Sequence, residues 1–245
     1  MKRLRPLVAA LALGASAPAA LATVVIDDFG DAAIASYTNA GLFESTGVQT
    51  GSMVGGARFD GLLCYFACDY NPPYRATLTV GDGALGVTPP PAGLATTRVL
   101  WGDVIAGGNP FPFAPLGLDL GSESAFQLKF TAVSADLLVQ FVVVSASGQS
   151  VYAPVVNNPG VVLHAGAAQT LTLPFSAFVG AASWADVSGL AMVLGGNNGY
   201  GTEAATAAFA LQSVLAVPEP GAGAMFVAGL IGAVGLRTWR RRRSP

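Results

Sequence analysis

Short runs of alternating apolar and polar residues, separated by glycine, proline, asparagine and aspartate, limit the possible fold of this chain most strongly. Residues 75–80 place Ala76, Leu78 and Val80 on one side and two threonines on the other, and residues 126–130 alternate in the same way. Successive side chains of a strand point to opposite faces, so this period of two predicts half-buried β-strands. Further strand-like runs are 24–26, 137–144, 169–175, 187–194 and 208–217.

The segments between these runs carry the residues that turns favour. Strong turn signals lie at 81–83, 107–110, 157–160 and 195–198, where glycine and asparagine tolerate the backbone angles that turns require. No run of ten or more residues has the spacing of an amphipathic helix. The sequence therefore predicts an all-β body, an antiparallel, jelly-roll-like β-sandwich spanning residues 23–216 as one domain.

The N-terminus has the three parts of a secretory signal peptide. A charged start is followed by an apolar centre at 7–15, and Ala20 and Ala22 form an A-x-A cleavage site. The apolar centre is too short to span a membrane, so residues 1–22 are predicted to be removed by signal peptidase during secretion. We therefore expect the mature chain to start at Thr23, outside the cytoplasm.

The C-terminal segment, 217–245, also has three parts in a fixed order. Pro218, Glu219 and Pro220 precede an apolar run that begins at residue 221 and ends at Leu236, or at residue 239 if the Arg237 side chain extends to the membrane surface. The flanking basic residues are Arg237, Arg240, Arg241, Arg242 and Arg243. A bilayer-spanning helix needs about 17–25 residues, and basic residues stay on the cytoplasmic side. The run 221–239 is thus predicted to be a short transmembrane helix with a cytoplasmic tail, 240–245.

Together, residues 217–243 resemble the PEP-CTERM sorting signal of Gram-negative bacteria. The resemblance implies that an exosortase, an integral-membrane cysteine transpeptidase, recognises the Pro-Glu-Pro motif and cuts near it. The body would then pass from the inner membrane to the cell surface or the extracellular matrix. An ordinary C-terminal anchor with an accidental Pro-Glu-Pro sequence is the alternative.

The charge of the body differs from that of the whole chain. The chain has 12 basic and 14 acidic residues. Three basic residues lie in the signal peptide and five lie after residue 236, which leaves four basic residues beside all 14 acids and a net charge of −10 for 23–219. Such a body has no basic surface for nucleic acid or anionic lipid, so we expect no nucleic-acid partner.

The residues that usually carry metal or nucleophilic chemistry are sparse. The single histidine, His164, follows an apolar run, and the two cysteines, Cys64 and Cys68, are close in sequence. In an exported protein they are candidates for a disulfide, with a free buried pair or half a metal site as alternatives. Catalysis needs a nucleophile beside a base, or paired carboxylates. We therefore predict no enzyme activity, with a polysaccharide-acting enzyme as the weaker alternative.

The body itself resembles the galactose-binding-like jelly rolls of carbohydrate-binding modules. The resemblance rests on Asp27-Asp28-Phe29, on the stretches 55–58 and 117–120, and on the later stretches 173–178 and 209–214. Many members of this class hold a structural calcium ion with an acidic residue in the closing strand, where this chain has Gln212. We therefore expect no cofactor. A calcium site that uses Asp27 or Asp28 is disfavoured, although calcium also accepts neutral oxygens.

Sites for sugars combine aromatic surface with polar hydrogen-bonding side chains. One such cluster in the sequence comprises Tyr70, Tyr74, Arg75, Trp101 and Asp103. These residues are the candidate ligand face, with core packing as the alternative for the aromatic ones. The sequence thus predicts an exported surface or matrix protein that serves adhesion or associates with exopolysaccharide. A structural matrix or biofilm protein without a specific ligand is the alternative.

Overall fold

The computed structural model describes residues 23–30, 35–39, 45–66, 75–89, 94–104, 113–154, 160–195 and 207–218, with the backbone alone at 35–39, 45, 64–66 and 94. All of them lie in one compact unit, Ala22–Glu219. Among these residues no helix is long and apolar enough to cross a membrane. The predicted signal peptide, transmembrane helix and basic tail lie outside the described residues.

The described strands form two sheets, and every pairing within them is antiparallel. In the seven-stranded sheet, six strands follow one another in a linear order. The seventh strand, β1, pairs with β15 and is not part of that order. Those strands are, in order, β12 (Gln169–Pro174), β8 (Glu123–Val133), β15 (Phe209–Pro218), β6 (Ala84–Thr88), β5 (Ala76–Gly81) and β2 (Ala35–Asn39), and β1 is Val24–Asp27.

The eight-stranded sheet is also antiparallel and has one strand, β11 (Val161–Leu163), beside β9 and off the main path. Its main path runs β13 (Phe178–Gly180), β10 (Gly148–Tyr152), β9 (Leu137–Ser145), β14 (Val187–Leu194), β7 (Leu94–Gly102), β4 (Ala57–Phe66) and β3 (Ser45–Thr50). Two short 3₁₀ helices, Val54–Gly56 and Phe175–Ala177, join strands.

The two sheets share one hydrophobic core, which makes the body a sandwich. Leu128 and Val214 of the seven-stranded sheet belong to the same buried cluster as Val99, Phe141 and Met192 of the other sheet. Side chains that alternate along each strand meet in the space between the sheets, where their removal from water stabilises the fold. The predicted all-β, antiparallel, jelly-roll-like sandwich is confirmed.

Aromatic side chains fill the corner where the chain passes from β12 to β13. Phe175 stacks on Trp184 with ring centroids 3.8 Å apart and planes 5° apart, and Phe126 lies 4.9 Å from Phe175. The run 169–175 was expected to be strand throughout, but β12 ends at Pro174 and Phe175 starts a 3₁₀ helix. This turn of helix lets the chain change sheets while its aromatic side chains stay packed.

The turn predicted at 81–83 joins β5 to β6. Asp82 and Gly83 have φ angles of 54° and 78°, and Gly81 pairs with Ala84 across the turn. Two consecutive positive φ angles match the tight hairpin turn whose twist suits the flanking strands, and Asp-Gly is a preferred pair for it. The local sequence therefore fixes this hairpin.

Candidate functional site

The structure distributes the predicted ligand-face residues over both sheets. Trp101 lies in β7 with none of its side chain exposed, and half-buried Asp103 follows just after that strand. Exposed Arg75 instead precedes β5 of the other sheet. Tyr70 and Tyr74 lie outside the described residues. The residues that are described therefore do not gather on one exposed surface, and Trp101 belongs to the core.

Trp101 is held in the core by a hydrogen bond to a buried acid. Its indole Nε1 donates to Oδ2 of Asp27 over 2.8 Å. A buried tryptophan needs a partner for its single polar hydrogen, and Asp27 supplies it from β1, on the opposite sheet. Trp101 therefore packs inside the protein and does not form part of its surface.

Asp27 also belongs to a buried ionic network centred on Arg58. The Arg58 Nη1 donates to both Asp27 oxygens at 3.1 and 2.9 Å, and its Nε donates to both Asp60 oxygens at 3.1 Å. Nη2 donates to the side-chain oxygen of Gln49. The guanidinium carbon lies 5.1 Å from the centre of the Phe29 ring. Arg58, Asp27 and Asp60 are almost completely buried.

The network joins both sheets through a single guanidinium. Arg58 and Asp60 are two residues apart in β4, so both point into the interior. Burial by itself lowers the pKa of Arg58, but the adjacent Asp60 and Asp27 outweigh that effect and raise the pKa above its ordinary value. Buried charges of this kind are tolerated only when they are paired. We therefore assign the network a structural role.

The same contacts bear on the calcium site considered from the sequence. The Asp27 oxygens accept hydrogen bonds from Arg58, from Trp101 and from the backbone nitrogen of Phe29 at 2.8 Å. Exposed Asp28 accepts a hydrogen bond from Gly30 and lies on the other side of the strand end. Among the described residues, no group of three or more His, Cys, Asp or Glu side chains is placed so that it could hold a metal ion. The expected absence of a cofactor, with structural calcium disfavoured, remains a prediction.

His164 lies on the surface after β11. Its Nδ1 is 3.1 Å from Oδ2 of Asp136, and 80% of the His164 side chain is exposed. The other Asp136 oxygen accepts a hydrogen bond from the Ala165 nitrogen at 3.2 Å. These contacts hold an exposed loop, so His164 has a structural role at the surface.

Of the predicted processing residues and the two cysteines, the structure describes only Pro218 and the backbone of Cys64. Pro218 is the last residue of β15, whereas Glu219, Pro220 and the basic tail lie outside the described residues, as do Ala20 and Ala22. Cys64 lies in β4 with its backbone described, and Cys68 lies outside. The disulfide therefore stays a prediction.

The outer side of the eight-stranded sheet carries a second group of ordered side chains. We name it the outer face and define it by Phe59, Arg98, Leu100, Gln140, Val142, Ala191 and Val193. Phe59, Leu100 and Ala191 pair in register across β4, β7 and β14 and form a cluster separate from the main core. Val104 and Phe113, from the connection after β7, cover this cluster. The middle of the outer face is therefore filled by the protein itself.

A polar strip crosses the same face beside the covered cluster. Arg98 of β7, Val193 of β14 and Gln140 of β9 lie in register on three neighbouring strands, and all three are half-buried. Because strands lie about 4.8 Å apart, Arg98 and Gln140 are separated by about 10 Å at the backbone. The strip thus alternates polar, apolar and polar side chains along a line perpendicular to the strands.

Local packing holds the two polar side chains of the strip. The guanidinium carbon of Arg98 lies 5.4 Å from the centre of the Phe59 ring, a cation–π contact. Gly160, with φ of +98°, lies so close to Gln140 that a Cβ there would come 2.9 Å from its Cγ. Both polar side chains therefore have restricted positions, which lowers the entropy lost when a ligand binds.

The sequence contained a signal for this strip that hydrophobic alternation did not reveal. Gln140 is the one polar residue in the run 137–144, and Arg98 stands alone among apolar and threonine residues at 95–101. A polar residue within a strand-like apolar run marks a position that lies either at the surface or in a buried polar contact. Which of two faces it occupies follows only from the strand pairing.

Family 11 carbohydrate-binding modules of Clostridium thermocellum are among the solved structures similar to this chain. One belongs to a cellulosomal cellulase, with 13% identity, a TM-score of 0.39 and coverage of 82% of this chain and 96% of that chain. Another, in complex with a β-1,3-1,4-mixed-linked tetrasaccharide, has 12% identity, a TM-score of 0.39 and coverage of 80% and 95%. A solution structure of such a module has 12% identity, a TM-score of 0.41 and coverage of 83% and 99%. No family model and no curated protein matches the chain.

Proposed function

We propose that this chain is an exported precursor, processed by an exosortase and delivered to the cell surface or extracellular matrix of a Gram-negative bacterium. The observation that carries the proposal is the order of parts in 217–243: a Pro-Glu-Pro motif, one apolar run and a basic tail. The signal peptide at 1–22 supports it independently, because it places the body on the side of the membrane where the motif would be cut.

The sorting proposal predicts that processing depends on both ends of the C-terminal segment. Replacing Glu219 by alanine, or deleting residues 240–243, should leave an uncut precursor in the inner membrane. Immunoblots of membrane, surface and medium fractions measure this distribution. Asp186→Ala, which removes an exposed acid from the body, is the matched control and should be processed like the wild type. Normal processing of both C-terminal variants would contradict the exosortase proposal.

We further propose that the body associates with exopolysaccharide through the polar strip of the outer face. Val193 and Val142 offer apolar surface for a sugar ring, while Arg98 and Gln140 offer hydrogen-bonding groups on either side of Val193. Sites for small polar ligands combine these two kinds of surface. A polysaccharide lying along the strip would cross the strands and contact both polar side chains.

The polysaccharide proposal predicts that binding is lost when the polar strip of the eight-stranded sheet is changed, and not when the other sheet is changed. In the recombinant body, residues 23–218, Arg98→Gln combined with Gln140→Ala should weaken binding to the organism's own exopolysaccharide at least about tenfold, or about 1.4 kcal/mol. Sedimentation with the polysaccharide measures the affinity. Lys129→Gln is the control, since it removes one positive charge from an exposed position of β8 in the other sheet. Equal losses in both variants, or no loss in either, would contradict the strip as the site.

A structural matrix protein without a specific ligand is the second candidate. It is favoured by the burial of Phe59, Leu100 and Ala191 under Val104 and Phe113, which narrows the outer face that a ligand can reach. This candidate predicts no binding to any exopolysaccharide, together with loss of biofilm cohesion when the gene is deleted. An enzyme is favoured less, because Asp27 and Asp60 are paired with Arg58 in the interior.

A further inference from the structure

The sorting motif begins inside the folded sheet. Pro218, its first residue, is the last residue of β15 and lies opposite Glu123 of β8. Val217 lies opposite Ala125, and its carbonyl accepts a hydrogen bond from the Ser124 hydroxyl at 3.4 Å. There is therefore no spacer between the sandwich and the motif.

β15 is a central strand of the seven-stranded sheet. It pairs with β8, β6 and β1, and Leu211, Val214 and Ala216 are completely buried. A peptide bond in a strand with neighbours on both sides can enter an enzyme only after the strand is unpaired, and unpairing a central strand costs a large part of the stability of the fold. Bonds up to Ala216 thus have strand neighbours on both sides, and the Val217–Pro218 bond is held by β8 alone.

The N-terminus of the mature chain lies at the same end of the sandwich. Val24 is paired with Ala216 in register, so Thr23 lies beside the C-terminal end of β15. The predicted signal peptide and transmembrane helix both extend from this end. In a precursor that carries either segment, the chain therefore joins the body to that segment at this end of the sandwich.

We propose that the exosortase cuts on the C-terminal side of Pro218, so that the released body keeps the whole of β15, and that pairing of 217–218 with β8 slows the cut. The inference rests on the proposed sorting function. In the reaction, the enzyme's cysteine thiolate attacks the carbonyl carbon of the scissile bond and forms a thioester. The C–N bond breaks, and the amine that takes up a proton leaves with the helix. An amine acceptor, or water, then attacks the thioester and returns the thiolate.

This position of the cut places the new C-terminus next to Thr23. Any group that the acceptor brings is therefore attached at that end of the sandwich. The outer face, which lies on the other sheet, keeps its access to polysaccharide. Cutting before Val217 would instead remove the β15 residues that pair with Ala125 and Glu123, and it would leave Ala125 paired only with Pro174 of β12.

The C-terminal residue of the released protein tests the position of the cut. The full chain is expressed in its own host, and the C-terminal peptide of the surface or medium form is identified by mass spectrometry. We expect the polypeptide to end at Pro218, Glu219 or Pro220. An end at Val217 or earlier would overturn this inference while leaving exosortase sorting intact. A chain that is never cut would overturn both proposals.

A spacer tests whether the sheet slows the cut. Ten Gly-Ser residues inserted between Val217 and Pro218 move the whole motif off the strand, and the half-life of the precursor is measured by pulse–chase. We expect the half-life to shorten about fivefold, equivalent to about 1 kcal/mol of strand-end opening. The same insert between Asp82 and Gly83, in the β5–β6 turn, is the control and should leave the half-life unchanged. An unchanged half-life with the spacer before Pro218 would show that pairing with β8 does not slow the cut.

Discussion

Arg58 shows how a single residue can allow two carboxylates to be buried. Its guanidinium contacts two carboxylates, a glutamine oxygen and the face of Phe29. Each carboxylate would be unstable in the interior without it, because an unpaired buried charge cannot regain its hydration. The network is therefore a requirement of the fold once Asp27 and Asp60 are buried, whether or not it adds net stability.

Replacing Arg58 should therefore lower the free energy of unfolding more than replacing an exposed residue does. Arg58→Met leaves Asp27 and Asp60 buried without a counter-charge, and we expect the free energy of unfolding of the body to fall by about 3–5 kcal/mol. Urea unfolding followed by tryptophan fluorescence measures it, with an unchanged dependence on urea concentration expected. Exposed Arg75→Met is the matched control, with an expected change within about 1 kcal/mol.

A second variant separates lost pairing from lost packing. Adding Asp27→Asn and Asp60→Asn to Arg58→Met removes the buried charges and should restore part of the lost stability, because neutral amides are cheaper to bury than carboxylates. A triple variant that is no more stable than Arg58→Met would mean that the shape of the guanidinium, and not its charge, is what the interior needs.

At the scale of elements, hydrophobic alternation predicted the strands whose inward residues are apolar. The runs 126–130, 137–144 and 187–194 all lie within β8, β9 and β14. β4 gave no such pattern, because its inward positions include Arg58 and Asp60. Alternation detects a strand only when its buried side is apolar, so a strand that carries a buried ion pair has to be found from its neighbours.

The candidate site was harder to predict than the fold for a related reason. Trp101 reads as an exposed aromatic beside polar residues, but its partner is Asp27, 74 positions away in sequence. Arg98 and Gln140 come together only through the register of β7, β14 and β9. A local pattern shows which residue type is present, whereas strand pairing between distant segments decides which face it occupies.

β15 extends the sandwich beyond the end expected at residue 216. Val217 and Pro218 still pair with β8, although proline has no backbone N–H to donate to a ladder. A proline at the last position of a strand is compatible with pairing because the strand ends there. The element therefore ends at the first residue of the proposed sorting motif, so the proposed position of the cut and the end of the strand are linked.

For the whole molecule, charge restricts the kind of polysaccharide that the proposed site would bind. Residues 23–219 carry four basic and 14 acidic residues, and one of the basic ones, Arg58, is buried with two of the acids. A protein with this balance repels polyanions at long range, and salt weakens that repulsion. An uncharged polysaccharide meets no such barrier and should be the preferred ligand of the polar strip.

The salt dependence of binding tests this preference. Affinity for an uncharged polysaccharide should stay constant between about 0.01 and 0.15 M salt, where the screening length falls from about 30 to 8 Å. Affinity for an acidic polysaccharide should be weaker and should rise over that range. Replacing exposed Asp28, Asp82 and Asp186 by asparagine should reduce the rise and leave uncharged binding unaltered. Binding of an acidic polysaccharide that weakens with salt would mean that Arg98 attracts anions strongly enough to overcome the charge of the whole body.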